Sequence, residues 1–211
     1  MSDVFITGGT GYIGQRLIPE LIRRGHTVRA LVRNGSEKKL PTGAIAVSGD
    51  ALDASTFATA IAPSDTFVQL VGVAHPSPSK KEEFRKIDFV SVRESVNAVR
   101  DSSVKHFVYL SVAQPAPVMR EYVSVREEGE AMIRDLHVNA TFVRPWYVLG
   151  PGHRWPYLIL PIYWIWMLSN RDAAQRLYPV KLKRVIQAMA DAIDHPQDGV
   201  RIIDARELRR A

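Results

Sequence analysis

Between the apolar run Val4-Phe5-Ile6-Thr7 and an amphipathic stretch lies Thr7-Gly8-Gly9-Thr10-Gly11-Tyr12-Ile13-Gly14. Glycines this dense commit the chain to a tight turn, because glycine alone enters left-handed backbone freely and lets backbone close on backbone. The spacing reads as Gly9-x-Gly11-x-x-Gly14 or as Gly8-x-x-Gly11-x-x-Gly14. After a strand and before a helix, such glycines make the turn, admit a pyrophosphate against the main chain and seat the helix on the sheet. The start of the helix then turns its unpaired amides toward the phosphates. Ile13, Leu17, Ile18, Leu21 and Ile22 fall on one helical stripe that stops at Gly25, and Thr27–Val32 reads as the next strand. The unit is β-α-β, and a dinucleotide is its expected ligand. Pro19 is discordant: inside a helix it removes a backbone donor and predicts a kink near Gln15.

Further strands are expected at Ala44–Val47, Thr66–Val71, His106–Ser111, Thr141–Arg144 and Val200–Ile203. Helices are expected at Lys80–Arg100, Met119–Leu136 and Leu182–Ile193. Strands alternating with helices predict an α/β fold with a doubly wound parallel sheet. A length of 211 residues suits one such domain, with a core over 1–150 and a lid, final helix and final strand over 151–211. With 46% apolar and 24% charged residues the chain is ordinarily globular. Zero cysteines exclude disulfides, thiolate nucleophiles and cysteine-held metals. No metal-ligand spacing accompanies the histidines, so no metal is expected. The net charge of +6 favours anionic ligands, but it is spread along the chain without a nucleic-acid fingerprint. No nucleic-acid partner is expected. The first residues show no secretory signal, and the expected location is cytoplasmic.

The end of the second strand should meet the adenosine ribose. An acid there would bind the 2′-hydroxyl of NAD; this chain instead has Arg33, with Lys38 and Lys39 nearby. A guanidinium suits a 2′-phosphate, so NADP is expected over NAD. Asp50, in Gly49-Asp50-Ala51, is read either as an acceptor for the adenine amino group or, like Asp53, as a cap for the next helix.

Together, the Thr7–Gly14 motif, Arg33, Gly49-Asp50, Tyr109-Leu110-Ser111, Tyr122 with Arg126, and Val143-Arg144-Pro145 resemble the short-chain dehydrogenase/reductase superfamily. The likeness is to its atypical branch of epimerase-like and NmrA-like NAD(P)-binding proteins, and it covers about Ser2 to Gly152. The resemblance implies a Rossmann-type sheet with a nicotinamide cofactor across its carboxyl ends. It implies cofactor contacts at Gly8, Thr10, Gly11, Tyr12, Ile13, Gly14, Arg33, Asp50, Ala51, Val71, Gly72 and Pro145. It also implies catalysis by a Tyr-x-x-x-Lys pair with a hydroxyl residue, moving a proton while hydride moves on the nicotinamide. Tyr122-Val123-Ser124-Val125-Arg126 supplies the tyrosine but puts arginine at the lysine position.

Residues four apart share a helix face, so Arg126 can place a charge near Tyr122 and favour its ionisation, or it can pair with Glu130. A guanidinium keeps its charge yet cannot relay a proton as an ammonium does. The family's hydroxyl position falls at Val112. Ser111, one residue earlier, is read as its substitute or as a cap on the strand end through a backbone bond. His75, after the fourth strand, is a candidate acid/base or an ordinary loop residue.

The stretch after Pro145 is too short for a large substrate domain, so a small substrate is expected. Trp155, Tyr157, Tyr163, Trp164 and Trp166, flanked by Arg154, Arg171 and Arg176, crowd the next segment. Read as a cover, it caps an apolar pocket or forms a homodimer face; contact with a membrane surface through 154–168 is the lesser alternative. Two functions follow: an NADPH-dependent oxidoreductase acting on a small apolar carbonyl, with Tyr122, Arg126 and Ser111 at the chemistry, or a dinucleotide-binding module without turnover. The second would be a redox sensor like NmrA-like proteins or an accessory protein resembling the nucleotide-binding subunit of respiratory complex I.

Overall fold

Along β1 (Asp3–Thr7) the side chains alternate: Val4 and Ile6 enter one apolar cluster, and Phe5 enters the other. Period-two alternation on a strand buried on both faces requires a layer on each side. This computed structural model describes residues 1–152 and 170–210. Among these, β2 (Thr27–Val32), β3 (Ile45–Ser48), β4 (Thr66–Gln69), β5 (His106–Leu110), β6 (Asn139–Arg144) and β9 (Val200–Asp204) join β1 in one sheet, ordered β3-β2-β1-β4-β5-β6-β9. Every pairing is parallel. The chain runs outward from β1 to β3, then returns to β4 on the other side of β1. The crevice between β1 and β4 is the topological switch point, where a sheet of this kind binds ligands.

The first face is covered by α1 (Gly14–Arg23) and a later helix, α5 (Leu182–Asp194). Leu17, Ile18 and Leu21 of α1 are wholly buried, and the helix runs through Pro19. It stops at Gly25, whose φ of 86° suits glycine. There the Gly25 amide donates to Ile22 O at 2.9 Å and that of His26 to Leu21 O at 3.0 Å, a Schellman closure. The second face carries α2 (Val90–Val99) and α3 (Arg120–Arg134). Parallel register sets Phe5 beside Phe67 and Phe67 beside Phe107. Their ring centroids lie 5.5 and 5.1 Å apart, making an aromatic row across β1, β4 and β5.

The expected strands are present, Thr27–Val32 with the ends expected and the others with ends moved by one or two residues. The single helix expected over Lys80–Arg100 is not. A turn of 3-10 helix (Pro78–Lys80) and a short α-turn (Lys81–Glu83) lead into a π-helical stretch, Phe84–Phe89, before α2. Phe84 and Asp88, four apart on this stretch, are both buried. Three further pieces were not anticipated: the small parallel ladder β7 (Val148–Leu149) with β8 (Val180–Lys181), α4 (Arg171–Arg176) and α6 (Ala205–Arg210). No described helix is long and apolar enough to cross a membrane. The aromatic segment expected as a lid lies outside the described residues.

Candidate functional site

The glycine turn closes as its composition dictates. The Gly11 amide donates to Gly8 O at 3.0 Å, and Gly8 has a φ of 77°. A Cβ on Gly14 would stand 2.5 Å from Gly8 O and 2.6 Å from the Gly9 Cα, so only glycine lets α1 start this close to the turn. No side chain caps α1, and its first turn holds no acid, which leaves the positive end of the helix dipole uncompensated. Thr10, Tyr12 and Ile13 belong to the same turn, where Arg16 donates to Tyr12 O at 2.8 Å. The cradle fits a diphosphate in both shape and sign.

Beyond the end of β2 a cavity of about 420 Å³ is lined by Arg33, Asn34, Ser48, Gly49, Asp50 and Thr56. Arg33 and Asp50 therefore meet at one site. Asp53, not Asp50, caps the following 3-10 turn (Ala54–Thr56) by accepting from the Ser55 amide. The Asp50 carboxylate accepts from the Leu52 amide at 3.0 Å, so its turn is local. Ala51 follows in that turn and packs on the second core cluster.

At the end of β4 the Val71 amide donates to Gln69 Oε1 at 3.2 Å, and Gln69 is itself bonded to Thr7 and, at 3.1 Å, to Ser91. A buried polar chain thus runs under the switch point. His75 takes a left-handed conformation, φ 50°, in the exposed loop beyond.

The Tyr122 ring is half-buried, tilted on Phe84 with centroids 5.0 Å apart, and the Arg126 guanidinium lies over it at 5.2 Å. Helical spacing therefore brings the pair together. Arg126 lowers the Tyr122 pKa, the expected direction, but burial raises it by more, so the phenol is held protonated. Pairing of Arg126 with Glu130 is overturned. Arg126 Nη2 meets Asp88 Oδ1 at 2.5 Å, while Nη1 donates to Leu110 O at 3.0 Å and reaches the Tyr109 hydroxyl at 3.4 Å. Burial pushes the Asp88 carboxyl above its ordinary value, opposed by Arg126 and by the Val73 amide.

Glu130 instead organises the end of β5. It accepts from Ser111 Oγ and Gln114 Nε2, each at 2.7 Å, and from Arg144 through Nε at 2.8 Å and through Nη2. Ser111 is 4% exposed and sends its hydroxyl to a carboxylate, not to the backbone as the capping reading expected. That hydroxyl faces the core. Val112 is also buried, and Pro145 O accepts from the Ala113 amide at 3.0 Å, closing β6 onto the same loop.

Sequence reasoning missed Asp88 and the role of Glu130. The available signal was position: each is a carboxylate on the buried stripe of an amphipathic helical segment, and a charge there requires a partner.

A family model described as NAD(P)H-binding matches residues 8–154. The chain is 27% identical over 158 residues to a 3-beta-hydroxysteroid dehydrogenase of Mycolicibacterium neoaurum, covering 71% of this chain and 43% of that protein. It is 25% identical over 151 residues to a ceramide reductase of Caulobacter vibrioides, covering 71% and 47%. It spans less than half the length of these relatives. Its fold matches that of the Bordetella bronchiseptica enzyme WbmH, solved in complex with NAD+, with a TM-score of 0.71 at 20% identity over 97% of this chain and 75% of that one.

Proposed function

The chain belongs to the NAD(P)H-binding family, of atypical short-chain dehydrogenase/reductase type, and from that premise we propose that it is an NADP-linked oxidoreductase reducing a small, apolar carbonyl substrate. The reading is carried by the Gly8–Gly14 turn, closed by backbone alone and opening an uncapped helix at the switch point. The turn and the start of α1 hold the diphosphate. Arg33 takes the 2′-phosphate and Asp50 the adenine amino group, while Val71, Gly72 and Pro145 flank the nicotinamide half. When bound, the reduced nicotinamide supplies hydride to the carbonyl carbon. Tyr122 gives its phenolic proton to the substrate oxygen, and its raised pKa keeps that proton in place at neutral pH. Arg126 keeps a positive charge beside the phenol and offsets the charge left on it after transfer. Phe84 supplies an apolar wall against Tyr122. Relatives named for a steroid and a ceramide support an apolar substrate.

The test is calorimetric titration with NADPH, followed by loss of the reduced-nicotinamide absorbance against aldehydes, ketones and quinones. Tyr122→Phe should lower kcat by at least about 100-fold and leave NADPH affinity unchanged, the usual weight of a general acid. If no substrate oxidises NADPH, the oxidoreductase reading fails.

A second reading, a dinucleotide-binding module without turnover, is favoured by one observation: the Ser111 hydroxyl and the Arg126 guanidinium are both held by buried carboxylates. It expects NADPH binding with no oxidation by any of the panel.

A further inference from the structure

Gly72 follows β4 at the switch point, and a Cβ built on it would overlap Arg126 Nη2 and stand 3.0 Å from Asp88 Oδ1. An ion pair holds the place a side chain would take. Asp88 is wholly buried and the Arg126 side chain is 5% exposed. The second Asp88 oxygen accepts from the Val73 amide at 2.9 Å, and Arg126 donates to Leu110 O at 3.0 Å. One pair thus ties the π-helical stretch and α3 to the main chain at the ends of β4 and β5. Taking two charges out of water offsets much of their attraction, so net stability is a poor reason for such a pair. Its bonds to two strand ends point to placement of the backbone.

We infer that Asp88 and Arg126 form a positioning clamp, which fixes Gly72-Val73 and Leu110 where the nicotinamide half of the dinucleotide lies, and that residue 72 is glycine in order to seat the guanidinium. This rests on the dinucleotide reading above. Asp88 acts here only through other groups. Gly72 thereby has a role separate from close approach of the ligand.

The experiment compares wild type, Gly72→Ala, the double variant Asp88→Asn with Arg126→Ala, and the triple variant. The double variant removes both charges, so neither is left buried alone. Each protein is titrated with NADPH and with the adenosine bisphosphate fragment of NADP, and its urea midpoint is measured. Gly72→Ala and the double variant should each weaken NADPH about tenfold while the fragment changes less than about twofold. The triple variant should be no weaker than the double, because the added methyl has no guanidinium to displace.

Additive losses in the triple variant would overturn the seating of Arg126 on Gly72. Equal losses for NADPH and the fragment would overturn positioning and leave a merely structural pair. If wild type binds no NADPH, the dinucleotide reading falls and the positioning role with it. Coupling in the urea midpoint then still decides the seating.

Discussion

Arg33 lines the cavity beside Asp50 at the end of β2, and under the proposed function its guanidinium meets the one phosphate by which the two dinucleotides differ. Arg33→Ala should weaken NADPH by about tenfold or more and NADH by less than about threefold, as expected for a lost charge-assisted bond. Parallel titrations check this; equal losses would remove the phosphate assignment. The Tyr122 pKa is raised, so a rate that needs its proton should stay level through neutrality and fall only above about pH 10. A profile of kcat/KM against pH that falls nearer neutrality would assign the step to another group. His106, 2% exposed, meets Thr141 Oγ1 at 2.9 Å, and burial lowers its pKa from 6.5 to about 4. The folded chain resists a proton that the unfolded chain accepts, so this stability is full above pH 6.5 and is lost as pH falls toward about 4. The loss should reach at most about 3 kcal/mol. Urea melts at neutral and acidic pH measure it, and His106→Gln should flatten the difference. The glycine turn was legible because its geometry is local. Asp88 and Glu130 were not, because each is defined by partners far along the chain: Val73 and Arg126 for one, Ser111 and Arg144 for the other.

At the level of the elements, short apolar runs marked all the strands of the main sheet, and they are most continuous in β1, β4, β5 and β6, which are buried on both faces. The ladder of β7 and β8 was invisible: two residues per strand carry no period. The helix expected over Lys80–Arg100 failed for a related reason. An apolar stripe reports which residues face inward, but it does not separate α-helical winding from a single wider turn. The aromatic row gives the sheet much of its grip on α2 and α3. Phe67, wholly buried between Phe5 and Phe107, should cost about 3–5 kcal/mol when cut to alanine, read as a fall in the denaturant midpoint. Gly14→Ala differs in kind. Its methyl meets backbone at 2.5 Å, so α1 must move away from the turn, and dinucleotide binding should be lost beyond whatever stability is lost. Binding that survives at wild-type strength would show that the turn is not the diphosphate cradle.

Across the whole molecule the two faces of the sheet are held differently. The second face depends on aromatic packing. The first joins helices that lie far apart in the sequence: Arg24, beyond the end of α1, bonds Glu20 at 2.7 Å, Asp191 at 2.6 Å and Asp194 at 2.5 Å, and His26 meets Asp194 at 2.9 Å. The end of α1 away from the glycine turn is therefore anchored to α5 by charge. The wide turn at Phe84–Phe89 is where the protein should best absorb a change of chain length. Removing a single residue there, Lys86 for instance, should let the helix rewind evenly and leave both flanks near their present faces, whereas a deletion within α2 would turn one side against the other by about 100°.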